Sequence, residues 1–212
     1  MSPGTPPLEL LASGPAEAEH TFVFAHGAGL PMDAPRMTAI ADGLADAGLR
    51  VVRFEFPYMR RRRATGKRGA PDRAPLLEAT WHEVIGQLGD AGQLVVGGRS
   101  MGGRIASMIA DDAGVRGLVC LGYPFHPLGK PERTRTEHLA ELRTPALIVQ
   151  GERDAMGTRA EVATYELSPA IDLVWVPDGD HSFAPRKRSG VTEEENMATA
   201  VAAVVSFIAA LT

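Results

Sequence analysis

The sequence contains a single cysteine, Cys120, among 212 residues. One thiol forms neither an internal disulfide nor a zinc site of several cysteines, which excludes small disulfide-rich domains and zinc fingers. Long apolar runs are also missing, because the longest candidate, residues 197–211, is shorter than the roughly 20 residues of a membrane-spanning helix. We therefore expect no membrane partner, and we interpret Cys120 as a small buried hydrophobic residue.

Residues 1–7 have neither the basic start nor the apolar stretch of a secretory leader, so a cytoplasmic location is the expectation. The composition is otherwise ordinary, with 44% hydrophobic and 23% charged residues, which is typical of globular proteins and excludes wholesale disorder. The length predicts one domain over residues 1–212.

Six short apolar runs, rich in Val, Ile, Leu and Phe, are separated by enough residues for a crossover helix between neighbours. Continuous apolar strands are typical of a parallel sheet covered on both faces. The sequence therefore predicts an α/β fold, a three-layer α/β/α arrangement around an open, mostly parallel sheet of about six to seven strands. The runs are residues 21–25, 49–54, 93–97, 117–121, 146–150 and 171–176.

The segments between these runs carry apolar residues at helical spacing, which stop at Gly48 and at Gly89. Thr192 and Glu195 have the spacing of a capping box and predict the start of the last helix. Residues 60–75 have no apolar period, and we predict a long surface loop there. Residues 123–136 are predicted to form a second, shorter loop.

A G-x-S-x-G pattern over residues 98–102 follows one predicted strand and precedes a predicted helix. Gly98 and Gly102 permit a turn too tight for larger side chains, which raises Ser100 above the carboxyl edge of the sheet. The helix that starts there directs backbone N–H groups towards an anion formed beside Ser100. A plain turn that only starts a helix is the alternative, and the flanking strand and helix argue against it.

A serine nucleophile needs a histidine to accept its proton and a carboxylate to orient that histidine. His181 follows the last predicted strand and precedes the last helix, so we expect it at the same sheet edge as Ser100. Four other histidines lack such a position and are interpreted as surface or loop residues. They are His20, His82, His126 and His138.

Asp154 follows the strand at residues 146–150 and gives the chain order Ser, Asp, His. Glu152 also lies near that strand end, whereas Asp178 and Asp180 neighbour the histidine in sequence. Side chains so close in sequence seldom reach the required geometry, and we predict Asp154 as the orienting carboxylate.

The tetrahedral intermediate of acyl transfer needs N–H donors for its oxyanion. The backbone N–H of Met101 is one candidate, and the loop after the first long strand supplies the second, with Ala28 as first choice and Gly27 as the alternative. We interpret His26, next to them, as a residue that braces the loop by hydrogen bonds.

Taken in order, residues 26–29, 98–102, 151–154 and 179–181 resemble the α/β-hydrolase superfamily, in particular its small lid-less branch related to dienelactone hydrolases. Residues 54–59 and the basic residues after them are similar to the hallmark of a group that contains testis-expressed hydrolase-like proteins and a chromatin-complex subunit. The resemblance implies Ser100, Asp154 and His181 as nucleophile, acid and base, without metal or organic cofactor. Dienelactone hydrolases use cysteine as nucleophile where this chain has Ser100, so their substrate is not carried over.

Seven of the 22 basic residues lie within residues 60–73, close to the predicted edge of Ser100. Arg61 and Arg62 are candidates for binding an anionic group of the substrate, since guanidinium matches carboxylate and phosphate in a bidentate way. A solvated loop that pairs with acidic surface residues is the alternative. Tyr58 is interpreted either as a packing residue or as part of the substrate pocket. No aromatic residues interleave the charges, and we expect no nucleic-acid partner.

These observations favour a serine hydrolase that cleaves a small-molecule carboxylic ester or thioester through an acyl-enzyme, with a peptidase using the same machinery. No long insert precedes Asp154, so an open site without a cap domain is expected. The alternative is a protein-interaction module that docks an acidic partner through residues 60–73.

Overall fold

The computed structural model describes residues 6–211, so most of the amino-terminal stretch considered above for leader features lies outside the described part. Within those residues, seven strands are found: β1 (Leu10–Ser13), β2 (Thr21–Ala25), β3 (Arg50–Phe54), β4 (Leu94–Arg99), β5 (Gly117–Leu121), β6 (Ala146–Gly151) and β7 (Ile171–Val176). The helices are α1 (Pro35–Asp46), α2 (Pro57–Thr65), α3 (Ala74–Leu88), α4 (Met101–Ala113), α5 (Glu137–Ala140), α6 (Arg159–Val162) and α7 (Glu193–Ala210).

All the strands join one sheet in the order β1-β3-β2-β4-β5-β6-β7. β1 pairs antiparallel with β3, and every other pair is parallel. The predicted open, mostly parallel sheet is confirmed, and no cap domain is inserted within residues 6–211. β1 was not predicted, because an edge strand of four residues with alternating exposed and half-buried positions gives no continuous apolar run.

Helices cover the sheet on both faces. α1 and α7 pack together on one face, and α3 packs against α4 on the other. Along β2, Phe22 and Phe24 join the core under α1 and α7, whereas Val23 and Ala25 join the core under α3 and α4. Since each central strand buries both faces, its sequence is continuously apolar.

The predicted loop over residues 60–75 is wrong at both of its ends. Residues 60–65 belong to α2, which has Pro57 in its first turn and ends at Gly66 in the left-handed conformation, with φ 70°. Residues 74 and 75 start α3. The helix escaped prediction because its buried residues stand together as Pro57, Tyr58, Met59 and Arg60 and do not repeat at helical spacing. Arginine is itself a good helix former.

Several local predictions are confirmed. Thr192 and Glu195 form the capping box that starts α7. Cys120 is buried, and burial raises the pKa of its thiol. Residues 123–136 are irregular. Among the described residues, no helix has both the length and the apolar character needed to cross a membrane.

Candidate active site

Ser100 stands between β4 and α4 in a backbone conformation that L-residues rarely adopt, with φ 50° and ψ −118°. Two glycines permit this turn. A Cβ added to Gly98 would lie 2.5 Å from the carbonyl oxygen of Ala25, and one added to Gly102 would lie 2.6 Å from that of His26. The strand and helix therefore approach β2 more closely than any larger residue allows.

The turn at the carboxyl end of β4 brings Ser100 to His181, which lies in the loop between β7 and α7. The Nε2 atom of His181 lies 2.9 Å from the hydroxyl oxygen of Ser100. Because the side chain of His181 is about one quarter exposed, the pair borders solvent. Arg99 holds the histidine loop from behind, since its guanidinium donates a 2.9 Å hydrogen bond to the carbonyl of His181.

Asp154 follows β6 and lies 2.7 Å from Nδ1 of His181, measured from Oδ2. This carboxylate is fully buried, so it needs further donors. The side-chain amide of Gln150 donates to Oδ2 at 2.9 Å, and the backbone N–H of Met156 donates to Oδ1 at 2.9 Å. The carboxylate is thus fixed on both oxygens with one lone pair directed at the imidazole.

The other carboxylates considered for this position are engaged elsewhere. Glu152 forms an ion pair with Arg159 and accepts the backbone N–H of Asp178. Asp178 forms ion pairs with Arg153 and Arg186, which hold the pKa of its carboxyl below the usual range. Asp180 accepts two backbone N–H groups of its own loop, at 2.7 and 3.0 Å.

The predicted oxyanion donors face the same space as Ser100. A cavity lies beside Ser100 and His181, and its lining includes Gly27, Ala28 and Met101. Within residues 6–211, the backbone N–H groups of these residues donate to no protein acceptor. They are therefore available to an oxygen bound beside Ser100.

Two side chains fix the orientation of the loop at residues 26–29. Nδ1 of His26 donates to the carbonyl of Gly27 at 2.7 Å, and Nε2 accepts the backbone N–H of Phe56 at 3.1 Å. Tyr58 lies with its hydroxyl 3.2 Å from the carbonyl of Gly27 and 3.0 Å from that of Ala28. Burial lowers the pKa of His26, which favours the neutral ring that this pattern requires.

In a trans peptide the C=O and the following N–H point in opposite directions. Because the Gly27 carbonyl is held towards His26 and Tyr58, the N–H of Ala28 points away from them. The geometry accordingly favours Ala28 over Gly27 as the loop donor.

The cavity beside Ser100 has a volume of about 630 Å³. Its lining includes Arg99, Arg104 and Arg135 together with apolar residues such as Leu77 and Ile105. Burial lowers the pKa of Arg99 to about 10. Arg135 lies in an irregular segment, and no sequence pattern singles it out.

Arg61, Arg62 and Tyr58, predicted as substrate-binding residues, are absent from the described lining of this cavity. Arg61 forms an ion pair with Asp72 at 2.5 Å. Arg62 donates to the carbonyl of Gly29 at 3.0 Å. Tyr58 is buried behind the loop that it braces. The structure therefore gives these three residues structural contacts, and we do not carry them into the substrate site.

Gln150 and Arg135 were missed as functional residues, and Arg104 was interpreted only as a residue that flanks the elbow. Gln150 ends an apolar run as a fully buried polar residue, and a lone glutamine at the end of a predicted buried strand is the signal that would have found it. Arg104 follows the G-x-S-x-G pattern by two residues, but its position in the helix does not reveal that it forms no ion pair within residues 6–211.

Comparison with known proteins shows the family and the fold of the chain. A family model described as "Alpha/beta hydrolase domain" matches residues 18–209. An alpha-beta serine hydrolase homologue from Coxiella burnetii is 22% identical, with TM-score 0.66, and the match covers 94% of this chain and 90% of that chain. A dienelactone hydrolase from Anabaena variabilis is 22% identical, with TM-score 0.66 and coverage of 96% and 90%.

A serine hydrolase without lid from Xanthomonas campestris is 18% identical, with TM-score 0.66 and coverage of 97% and 91%. These likenesses confirm the predicted lid-less fold related to dienelactone hydrolases. The narrower likeness to the testis-expressed group stays a prediction. By its family match over most of its length, the chain belongs to the alpha/beta hydrolase domain family, and hydrolysis is the class of reaction that this membership assigns to it.

Proposed function

We propose that the chain is a serine hydrolase that cleaves a carboxylic ester or thioester through an acyl-enzyme formed on Ser100. The observation that carries this proposal is the continuous chain of contacts from Ser100 through His181 to Asp154, at 2.9 and 2.7 Å. A hydroxyl is a weak nucleophile near neutral pH, and a histidine base oriented by a carboxylate is the arrangement that activates it.

In the first half-reaction, Oγ of Ser100 attacks the carbonyl carbon of the substrate while its proton moves to Nε2 of His181. Asp154 accepts the Nδ1–H of His181 and stabilises the imidazolium that forms. The carbonyl oxygen becomes an oxyanion and receives hydrogen bonds from the N–H groups of Met101 and Ala28. When the tetrahedral intermediate collapses, the imidazolium returns the proton to the leaving oxygen or sulfur, and the acyl group stays on Ser100.

In the second half-reaction, His181 removes a proton from water, and the resulting nucleophile attacks the acyl-enzyme. The same N–H groups stabilise the second oxyanion, and the proton on His181 then passes to Oγ of Ser100 as the ester bond breaks. The products are a carboxylic acid and the regenerated enzyme.

The docking-module alternative loses its main support from the contacts of α2. Arg63 forms ion pairs with Asp33 and Glu55, and Arg61 pairs with Asp72. Two of the four arginines of this helix are therefore paired with carboxylates of the chain, and the helix offers less free charge to an acidic partner than its sequence indicates. A cytoplasmic location stays a prediction from the sequence.

Covalent labelling with a fluorophosphonate tests the proposal. We expect the wild-type chain to be labelled at Ser100 and the Ser100→Ala variant to remain unlabelled. Ser107→Ala is the matched control, because Ser107 also contacts a histidine, His138, but is buried outside the cavity. Labelling that persists in Ser100→Ala, or its absence from the folded wild-type protein, would contradict the assignment.

A further inference from the structure

The charges of the Ser100 cavity are unbalanced. Three arginines, Arg99, Arg104 and Arg135, line it together with a single carboxylate, Asp72. Asp72 is already neutralised, because Oδ1 pairs with Arg61 and Oδ2 accepts the backbone N–H of Tyr58 at 2.8 Å. The wall beside Ser100 therefore carries a net positive charge.

Arg99 has a structural use, since it is buried and donates to the carbonyl of His181. Arg104 and Arg135 differ from it. The ion pairs found among residues 6–211 are formed by other arginines. In the same part of the chain, Nε of Arg104 is buried without a hydrogen-bond partner.

Arg104 lies one helical turn after Ser100, and its backbone N–H donates to the carbonyl of Ser100 at 3.0 Å. Arg104 therefore lies in the first turn of α4, directly after the turn that holds Ser100. Arg135 lines the same cavity as Arg104, and burial together with the positive charge of Arg104 lowers the pKa of Arg135. Two neighbouring, partly desolvated cations without a counter-ion are unfavourable, and a bound anion would remove that cost.

We propose that Arg104 and Arg135 form an anion-binding subsite of the Ser100 cavity and that the preferred substrate carries a carboxylate or phosphate there. Guanidinium groups bind both anions in a bidentate way, which orients the ligand as well as attracting it. One small substrate can contact Ser100 and both arginines, since all three line the same cavity. This inference rests on the proposed hydrolase function.

Matched esters test the preference for an anion. The 4-nitrophenyl half-ester of glutaric acid and its methyl ester differ by one negative charge in the acyl part. The butyryl esters of 4-hydroxybenzoate and of its methyl ester differ in the same way in the leaving group. We expect kcat/KM to be at least about 10-fold higher for the charged member of one pair, as a charge-assisted hydrogen bond provides. Equal values within both pairs would overturn the subsite.

Single substitutions assign the preference to residues. Arg104→Gln and Arg135→Gln should each lower kcat/KM for the charged ester about 10-fold and change the neutral ester less than about 2-fold. Arg104→Lys should retain part of the preference, because lysine keeps the charge without the bidentate geometry. Arg133→Gln is the charge-matched control, since Arg133 is exposed and is absent from the described cavity lining. An equal loss in Arg133→Gln would show a general charge effect and overturn the assignment.

Binding without catalysis separates the subsite from the proposed function. Calorimetric titration of the Ser100→Ala protein with glutarate, and separately with inorganic phosphate, should give binding that Arg135→Gln weakens about 10-fold. If the wild-type protein hydrolyses no ester and yet binds these anions through Arg104 and Arg135, the hydrolase proposal fails and the subsite stands. If hydrolysis occurs and neither anion binds, the subsite fails and the hydrolase proposal stands.

Discussion

The molecule contains two serine–histidine contacts of almost the same length. In the first, called here the Ser100 pair, Ser100 lies 2.9 Å from Nε2 of His181. In the second, the Ser107 pair, Ser107 lies 2.8 Å from Nε2 of His138. Ser100 forms the turn before α4, and Ser107 lies within α4. Because the two Ser–His distances are so similar, distance alone does not distinguish a nucleophile from a structural hydroxyl.

The direction of the hydroxyl proton separates the two pairs. Ser107 donates its one proton to the carbonyl of Arg104 at 2.7 Å, so its oxygen can only accept from His138. Among the described residues, the hydroxyl of Ser100 has His181 as its hydrogen-bond partner and is free to donate to it. Only the Ser100 pair thus has the polarity that general-base activation requires.

The surroundings of the Ser100 pair and of the Ser107 pair also differ. Oδ2 of Asp154 lies 2.7 Å from Nδ1 of His181, and residues with available backbone N–H groups line the cavity beside Ser100. The Ser107 pair is absent from the described cavity lining. Burial and the charge of Arg104 lower the pKa of His138. The Ser100 pair therefore differs from the Ser107 pair in three features, which are a carboxylate on its histidine, an adjoining cavity and available N–H donors. The Ser–His distance does not distinguish the two pairs.

Replacing each histidine by glutamine gives the largest expected contrast. His181→Gln removes the base from Ser100, and we expect kcat for an activated ester to fall by a factor of about 10⁶. His138→Gln should change kcat by less than about 3-fold, because its partner serine takes no part in the reaction. Comparable losses in both variants, with folding verified by circular dichroism, would remove the distinction between the pairs.

Asp154→Asn makes the Ser100 pair resemble the Ser107 pair by removing the orienting carboxylate. We expect kcat to fall about 10⁴-fold, since the amide stabilises neither the required tautomer nor the imidazolium. Asp180→Asn is the control within the histidine loop. A near-normal rate for Asp154→Asn would return Glu152 or Asp178 to consideration as the acid.

Tyr58→Phe tests the N–H donors, the third feature that the Ser107 pair lacks. Loss of the hydroxyl frees the carbonyls of Gly27 and Ala28 and loosens the donor loop. We expect kcat to fall about 10-fold with little change in KM. This loss in kcat is smaller than the loss of about 10²–10³-fold that follows removal of an oxyanion donor. Tyr165→Phe serves as control, because among the described contacts the hydroxyl of Tyr58, and not that of Tyr165, reaches the carbonyls of Gly27 and Ala28. A change in KM alone would show that Tyr58 contacts substrate.

The smallest expected effect is that of His26→Gln on the pH dependence of the free energy of unfolding. Burial lowers the pKa of His26 in the folded chain below the value of 6.5 expected when it is unfolded. Between these two values the unfolded chain binds more protons, so the free energy of unfolding falls as the pH falls, by at most about 1.4 kcal/mol per pH unit for this group. His26→Gln should flatten this dependence in urea unfolding from about pH 7 to 5. An unchanged slope would show that another group is responsible.

His138→Gln should remove a separate part of the same slope, because the pKa of His138 is also lowered by burial. The double variant then reports whether the two contributions add. If the contributions add and kcat of His138→Gln is nearly unchanged, His138 affects the free energy of unfolding and not the reaction. The comparison of the two pairs requires this behaviour.

Much of this site could be predicted from local sequence. The turn at Ser100 and the strand ends that carry Asp154 and His181 are set by apolar runs and glycines, and parallel strands bring their carboxyl ends to one edge. The Ser107 pair could not be predicted, because it joins α4 to a short helix in an otherwise irregular connection.

The pairing of charged side chains was harder to predict from the sequence than the course of the backbone. Four consecutive arginines at residues 60–63 suggested free positive charge. Yet Arg63 pairs with Asp33 and Glu55, which come from distant positions in the sequence. The sequence did not mark Arg104 or Arg135 as an anion-binding residue, because the absence of an ion pair to either one among residues 6–211 is visible only in the structure. Pairing is a tertiary property, and local composition carries little information about it.

The most direct test of the central claim is the mass of the intact protein during turnover of 4-nitrophenyl acetate, quenched in acid within milliseconds and followed by peptide mapping. The account predicts one added acetyl group, located on Ser100 and absent from the peptide that holds Ser107. Acetyl on Ser107, or steady turnover without any acylated Ser100, would contradict it.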